Sequence, residues 1–331
     1  MDPTSAGISA STPGPGDTTV GEFLEEWLES IQFAMRPLSW KRYCQYVRLH
    51  AVPAIGDIPL NSLTAKHLQA LYAERLAVGR SPKTVLELHR TLHRALGAAE
   101  LSGLVRANIA RQANPPRPDR FEVQPLSPDE VERFLVAARG DPLEALFTLA
   151  VTTGMRQGEL LGLRWRDIDL ERATIRITGS IQRATGRGLV RSPPKTRKSR
   201  RQVLLTGLAV AALHRHTETQ KAQRLEASRW YESDFVFTTR YGKPIYASEI
   251  SCRSLPRVLG KARLRHIRFH DLRHTTATLL LGEGVHPKIV SEMLGHSNIG
   301  ITLDLYSHAT PTMQGVATAA LDKLLRSPPG M

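Results

Sequence analysis

The sequence predicts two domains, a mainly α N-terminal domain followed by an α+β domain in which helices dominate and a small antiparallel sheet is embedded. Three observations predict this. At 331 residues the chain exceeds the roughly 100 to 200 residues of one domain, so two are expected. The stretch RQANPPRPDRFEVQP, 111 to 125, carries four prolines and little periodicity, and it reads as an interdomain linker. Strand-like runs follow only after it: ATIRIT (Ala173 to Thr178) and RQVLL (Arg201 to Leu205) on either side of a basic hairpin, and DFVFTT (Asp234 to Thr239).

Residues 1–18, rich in Ser, Thr, Gly and Pro, are expected to form a disordered tail. A helical domain then spans 19–111. TVGE (Thr19 to Glu22) is a capping box, Ser39 is expected to cap WKRYCQYVRLH, and Thr64 to cap AKHLQALYAERLAV before Gly79. SPKT places Pro82 at a first helical position. In that fourth helix Leu88, Leu92 and Leu96 form one apolar stripe, and His89, Arg90, His93 and Arg94 beside it read as a solvated or anion-facing basic face. The linker is taken as 112–126. SPDEVERFLVAA opens the second domain, 127–331, with Ser127 as cap, Pro128 at the first helical position and Glu130 closing the box. Everything after Ala247 reads as helical, ending in an amphipathic helix over 311–326. No repeat period suggests a solenoid.

Lys and Arg total 45 against 31 for Asp and Glu, a net +14, on an ordinary apolar fraction of 41%. Excess positive charge on a normal core points to a polyanionic partner. Residues 19–111 hold 12 basic and 8 acidic residues, and Glu22, Glu25, Glu26 and Glu29 all lie in the first helix, so the remaining helices are distinctly basic. Residues 127–331 carry +12. No run approaches the roughly 18 apolar residues of a membrane-spanning helix. The start MDPTSAGISASTPGPGD has neither the basic residues nor the apolar segment of a secretory signal. A cytoplasmic protein with no membrane partner is expected. Cys44 and Cys252 are too few for a disulfide framework and make no CxxC spacing.

No GxxxxGK[ST] loop is present to cradle a triphosphate, and no GxGxxG follows a strand, so no nucleotide cofactor is expected. His266, His270 and His274 are spaced i, i+4, i+8. The helix is expected to begin near His270, and Arg273 opposes a second cation, so no metal is assigned. Four segments share another theme. TTGMRQGELLGLRW places Arg156 at a loop-to-helix junction, with Glu159 in the first turn where a carboxylate suits the helix dipole. RSPPKTRKSRR, 191 to 201, has six basic residues and no acid, as a finger laid on phosphates would. HDLRHTTATLLL puts His270 and Arg273 on one helical face, where they can converge on one small anion. LGHSNIGITLDLY adds His296 and Tyr306. Together these offer two guanidiniums for phosphate oxygens, an ammonium and imidazoles for proton transfer, and a phenol as nucleophile.

In order, spacing and local sequence, TTGMRQGELLGLRW, HDLRHT, LGHS and a YSH starting ten residues past His296 resemble the tyrosine recombinases, or phage integrases. TVGEFLEEWL and GDIPLNSLTAKHLQALY look like that family's helical, SAM-like core-binding domain. The resemblance covers about residues 19–326. It implies a DNA-encircling clamp built from the core-binding domain and a catalytic domain. It also implies that Tyr306 attacks a phosphodiester to form a 3′-phosphotyrosyl link and release a 5′ hydroxyl, which a partner strand's hydroxyl then reverses. Arg156 and Arg273 would clamp the nonbridging oxygens, His270 would act as general acid or base, and His296 would donate to the phosphate. Lys195 would protonate the 5′ oxygen, with Lys198 as its rival, and Glu159 would hold the arginine segment.

Further DNA contacts are expected at Arg42, Lys83, Arg90, Arg94, Arg197, Lys198, Arg200 and Arg201. The implied partners are double-stranded DNA bearing specific core sites and three further copies of the chain, in a tetramer joined through the C-terminal helix. The implied place is the nucleoid. Many phage and conjugative-element members begin with an arm-binding domain that the first 18 residues cannot form. Action on simple core sites, or a shortened integrase, is therefore expected. Integration or excision of a mobile element is the leading role. The alternatives are a chromosome or plasmid dimer resolvase and a non-cutting DNA-binding protein of the same fold; a type IB topoisomerase fits the ordered spacing less well.

Overall fold

The computed structural model describes residues 18–119, 124–184, 188–193, 200–296, 298–300, 302–303, 318, 321, 322 and 325. The chain divides into two compact units, residues 1–121 and 122–331.

The first unit is helical. Thr19 caps α1 (Val20–Ile31) through the reciprocal bonds that its sequence predicts, its Oγ1 accepting from Glu22 N at 3.2 Å while Glu22 Oε2 accepts from Thr19 N at 2.8 Å. The next helix, α2 (Pro37–Tyr46), starts two residues before the expected cap. Pro37 has no N–H to satisfy and a preset φ, so it takes the first position after Arg36, and Ser39 lies inside the first turn. A π-helical turn, Val47–Ala51, continues into α3 (Val52–Ile55). Pro53 explains it: a proline cannot donate to the carbonyl four residues back and its ring crowds that oxygen, and the wider turn lets Val52 N bond Val47 O instead.

Two more helices, α4 (Ala65–Ala77) and α5 (Pro82–Leu101), begin at Thr64 and Ser81 as expected. Leu88, Leu92 and Leu96 of α5 are buried together with Leu24, Leu28, Leu68 and Tyr72. Beside that stripe, Arg90 and Arg94 are exposed, but His89 is not part of an open basic face. Its Nδ1 bonds the buried Tyr72 hydroxyl at 2.9 Å, and burial, then His93 and Arg90, hold it below the usual imidazole range.

The second unit opens with α6 (Pro128–Ala138), capped by Ser127 and Glu130, then α7 (Glu144–Thr153) and α8 (Gln157–Leu161). Three strands form an antiparallel sheet in the order β1 (Ile168–Asp169), β2 (Thr174–Ile177), β5 (Arg201–Leu204). Ile175 opposes Val203, and both side chains enter the core. The two expected strands are therefore paired. Between them lies a hairpin that the sequence did not separate from the basic stretch: β3 (Ser180–Ala184) pairs with β4 (Gly188–Ser192).

DFVFTT is not a strand. It makes only the isolated bridges Arg164 to Phe235 and Thr238 to Pro244. Side chains of the following helix, α9 (Gly207–Glu226), replace a ladder there. His216 Nε2 and Gln220 Nε2 reach Val236 O at 2.7 and 2.9 Å, while Val236 and Phe237 are buried in the core. The remaining elements among the described residues are helical: α10 (Ala247–Glu249), a second π-helical turn (Ile250–Ser254) again just ahead of a proline, α11 (Leu255–Lys261), α12 (Phe269–Gly282) and α13 (Pro287–Leu294). Within this unit, α12 packs on α7 and α13. No helix among the described residues is long and apolar enough to cross a membrane.

Candidate active site

Two chain reversals, and the helix start that follows the first, set the site. The helix α7 ends at Gly154, whose φ of +60° makes the left-handed cap. A Cβ there would collide with Leu294 and come within 3.4 Å of Thr276, so glycine is needed for conformation and for space alike. Two residues on, Arg156 is the N-cap of α8, in extended conformation. The second reversal is Gly295, φ +69°, which closes α13 and turns the chain into His296.

Arg156 is tied on two sides. Its Nη1 donates to Glu159 Oε1 and its Nη2 to the carbonyl of Gly295, both at 2.8 Å, and 38% of its side chain remains exposed. Glu159 is buried and also accepts from Arg201 Nη2 at 3.1 Å. Burial alone would raise its carboxyl, but Arg201 and Arg156 together hold it below the usual carboxylate range.

Arg273 sits one turn into α12, 3% exposed. Its Nη1 donates to Gly154 O at 2.8 Å, and its Nη2 is buried without a hydrogen-bond partner among the described residues. Burial, then repulsion from Arg156 and Arg201, push its guanidinium down to about 9. The helix that carries it is firmly seated. Thr276 Oγ1 donates to Val151 O at 2.7 Å, and Arg268 N donates to Asp271 Oδ2 at 2.8 Å at its start.

His270 lies three residues before Arg273 and meets His274 edge to face, ring centroids 4.8 Å apart. It is solvent-accessible on one side, yet packing, His274 and Arg273 push it down to about 4. His274 Nδ1 is buried and has no hydrogen-bond partner among the described residues. The ring of His296 shares a hydrogen bond with the buried Thr302 Oγ1 at 2.7 Å, and burial followed by Arg273 and Arg156 pushes it down to about 3. Arg156 and Arg273 thus lie close enough to His270 and His296 to disfavour protonation of both rings, and Arg156 disfavours the charge on Arg273. The carboxylates nearby, Glu159 and Asp271, are already committed to Arg156, Arg201 and Arg268. Among the described residues this is a cage of cations and imidazoles with donors left over, which suits an anion.

Tyr306, Lys195, Arg197 and Lys198 lie outside the described residues, as does nearly all of 311–326. Arg200 is exposed beside the basic stretch. Arg201 departs from its expectation: the sequence placed it among phosphate-facing cations, but only 7% of its side chain is exposed and it is spent inside the protein on Glu159 and Met293 O. In the first unit Arg42, Lys83, Arg90 and Arg94 are all exposed. Arg94 lies over the Tyr43 ring at 5.7 Å, and Arg90 pairs with Glu87 at 2.6 Å. No group of three or more His, Cys, Asp or Glu among the described residues is placed to hold a metal ion. Sequence reasoning missed Gly154, Gly295 and Thr302; the glycines stood in TTGMR and LGH as the only residues free to adopt the left-handed turn at low cost.

Comparison with known proteins gives the family. The model of the phage integrase family matches residues 124–313, and that of the phage integrase N-terminal SAM-like domain matches residues 19–76. A tyrosine recombinase XerC-like protein of Caldanaerobacter subterraneus is 31% identical over 93% of this chain and 84% of its own length. An integrase of Saccharopolyspora erythraea is 27% identical over 85% of this chain and 77% of its own. In fold, the chain resembles the Tn1549 transposon integrase, solved in complex with a circular intermediate DNA, with a TM-score of 0.77 at 23% identity over 93% of this chain and all of that one. It also resembles a lambda integrase tetramer bound to a Holliday junction, with a TM-score of 0.64 at 18% identity over 88% of this chain and 78% of that one. The chain belongs to the phage integrase family, the tyrosine recombinases that break and rejoin DNA.

Proposed function

We propose that this chain is a site-specific recombinase that cleaves duplex DNA at a core site with Tyr306 and rejoins it without an external energy source. The observation that carries the assignment of residues is Arg273 Nη2, a buried charged donor with no acceptor among the described residues, in a cage whose other members are Arg156, His270 and His296. Leaving such a donor unpaired is costly, so a site built this way is built for a ligand oxygen. A scissile phosphate supplies it.

Arg156 and Arg273 bind the nonbridging oxygens and stabilise the charge that accumulates as Tyr306 attacks phosphorus. The Tyr306 oxygen forms the new P–O bond, the bond to the 5′ oxygen breaks, and the result is a 3′-phosphotyrosyl link and a 5′ hydroxyl. A phenol with a pKa near about 10 is mostly protonated at neutral pH, so its proton must leave as it attacks. His270, neutral and beside Arg273, accepts it. His296 donates to a phosphate oxygen, and the hairpin lysine, Lys195 with Lys198 as its rival, protonates the departing 5′ oxygen. Attack by a partner strand's 5′ hydroxyl reverses each step and restores Tyr306. Arg42, Lys83, Arg90, Arg94 and Arg200 are exposed cations available to flanking phosphates, with Arg197 and Lys198 in the basic stretch between β4 and β5. A homotetramer on DNA, joined through 311–326, supplies the four strand exchanges. Acting on DNA, the protein works in the cytoplasm at the nucleoid.

Integration or excision of a mobile element is the role we favour, because integrases recur among the relatives, including the ICEBs1 integrase of Bacillus subtilis at 25% identity. The XerC-like relative favours a second reading, resolution of chromosome or plasmid dimers. Incubation with a randomised pool of nicked duplexes tests the chemistry. Wild type forms an adduct stable to denaturant and sensitive to protease, and Tyr306→Phe binds the same duplexes without forming it. Absence of any adduct from wild type sinks the recombinase reading and leaves a DNA-binding protein of the same fold. Deleting the gene then separates the roles: loss of an excised circle marks an element integrase, accumulation of multimers a resolvase.

A further inference from the structure

Arg201 follows the basic stretch at the start of β5, where an arginine would ordinarily face phosphate. Its side chain is instead built into the protein. Nε donates to Met293 O at 2.6 Å and Nη2 to Glu159 Oε2 at 3.1 Å. Gly295 packs against the same guanidinium: a Cβ there would stand 2.8 Å from Nη1. Arg156 completes a ring, because it bonds the other oxygen of Glu159 and the carbonyl of Gly295, both at 2.8 Å. One buried carboxylate therefore serves two guanidiniums, and the two guanidiniums hold the end of α13 at carbonyls two residues apart.

A carboxylate shared between two cations binds each less tightly than it would bind one alone. We propose that Arg201 is a positioning residue for strand cleavage: by occupying Glu159 it leaves Arg156 able to turn toward the phosphate, and by holding Met293 O against Gly295 it fixes the turn that presents His296. The inference rests on the recombinase reading and adds to it a residue that acts without touching DNA. The strand that follows the lysine-bearing stretch carries the side chain that relieves Arg156. With Arg201 gone, Glu159 turns its whole charge on Arg156 and the α13 turn loses one of its two clamps. A lysine keeps the charge but, as a point donor, cannot serve Met293 O and Glu159 with the fixed fork of a guanidinium.

The test uses the full chain and nicked duplexes recovered by adduct capture with wild type. Arg201→Met is expected to slow adduct formation at saturating DNA by about 10- to 100-fold, the scale of a catalytic group displaced by about 1 Å, with non-covalent affinity and its salt dependence unchanged. Arg201→Lys is expected to fall between the two. Adding Glu159→Gln to Arg201→Met is expected to restore part of the rate, because a neutral amide no longer competes for Arg156. Loss of affinity and a shallower salt slope in Arg201→Met would overturn the inference and mark a phosphate contact. A double variant no faster than the single one would also overturn it, as would unchanged rates throughout. Should Arg201→Met fail to fold, Arg201→Lys with and without Glu159→Gln carries the same comparison. Arginine-selective nitrogen NMR on the DNA-free protein reads Arg156 directly, its guanidinium rotation slowing in Arg201→Met. That arm judges the inference even if wild type forms no adduct, an outcome that would count against the recombinase reading alone.

Discussion

Arg273 donates Nη1 to the carbonyl of Gly154 at 2.8 Å and holds Nη2 buried with no partner among the described residues. One half of the guanidinium is fixed by the cap of α7, and the other half meets no acceptor among the described residues. The DNA-free protein bears the cost, since burial and two neighbouring arginines disfavour the charge. Arg273→Met is therefore expected to lower adduct formation by about 100-fold or more, the scale of losing one preorganised donor. The same change is expected not to destabilise the DNA-free protein, because removing a poorly compensated buried charge offsets the lost bond to Gly154. Thermal unfolding checks this, and a midpoint well below that of wild type would show that Arg273 holds the fold together rather than waiting for phosphate.

The imidazoles make a second prediction, of pH dependence. His270 and His296 have folded values pushed down to about 4 and about 3, against about 6.5 in an unfolded chain. Between those limits the unfolded chain binds more protons, so stability rises with pH there. The contribution of the two imidazoles is complete above about 6.5 and is lost as pH falls toward the folded values. Urea midpoints measured between pH 7.5 and pH 5, above the range where ordinary carboxylates titrate, should fall with acid, and less so in a His270→Gln, His296→Gln double variant. A bound phosphate favours the protonated rings. Binding of a duplex near pH 6 should therefore take up protons, read by calorimetry in buffers of different ionisation enthalpy. Proton release would contradict an anion at this site.

Gly154 gives a third. An alanine there must hold φ near +60° and place a methyl group where Leu294 and Thr276 already lie. Gly154→Ala is expected to cost about 1 to 3 kcal/mol for the backbone strain alone, and more from the collision. It should also lower cleavage, because the carbonyl that positions Arg273 moves. Denaturant unfolding gives the first quantity. Gly140→Ala is the control: φ is +72° there, but nothing lies near a Cβ, so only the strain should appear.

These cases also show which parts of the molecule could be read in advance. Caps were legible because a cap is a local bargain between three or four residues: Thr19 with Glu22, Ser127 with Glu130, Thr64 and Ser81 all hold where expected. Ser39 misled because Pro37 settled the helix start first. DFVFTT carried strand composition, but α9 side chains took its carbonyls, and nothing in six residues announces a helix 15 to 20 positions earlier. Arg156, His270, Arg273 and His296 were recognisable from local motifs, and the fold does gather them. The fate of Arg201 was not, since a buried arginine and a DNA-facing one look alike until the carboxylate 42 residues away is in place.

The hairpin lysine is the last prediction, and chemistry decides between Lys195 and Lys198 where spacing does not. Protonating the 5′ oxygen matters because an alkoxide is a poor leaving group. Replace that bridging oxygen by sulfur and the need disappears, since a thiol ionises near about 8.5 and departs readily as thiolate. Lys195→Ala is expected to lower cleavage of an ordinary duplex by about 100- to 10,000-fold, the range of a general acid, and to cleave the 5′-phosphorothiolate duplex at close to the wild-type rate. Lys198→Ala should lose affinity alone, with a salt slope shallower by about one phosphate contact, and gain nothing from sulfur. Exchange of these two outcomes would assign the proton to Lys198. Failure of sulfur to rescue either variant would place the acid on another group and leave the basic stretch as a phosphate contact only. Arg156→Ala serves as the negative control, because a guanidinium that stabilises nonbridging oxygens is still needed whichever atom leaves.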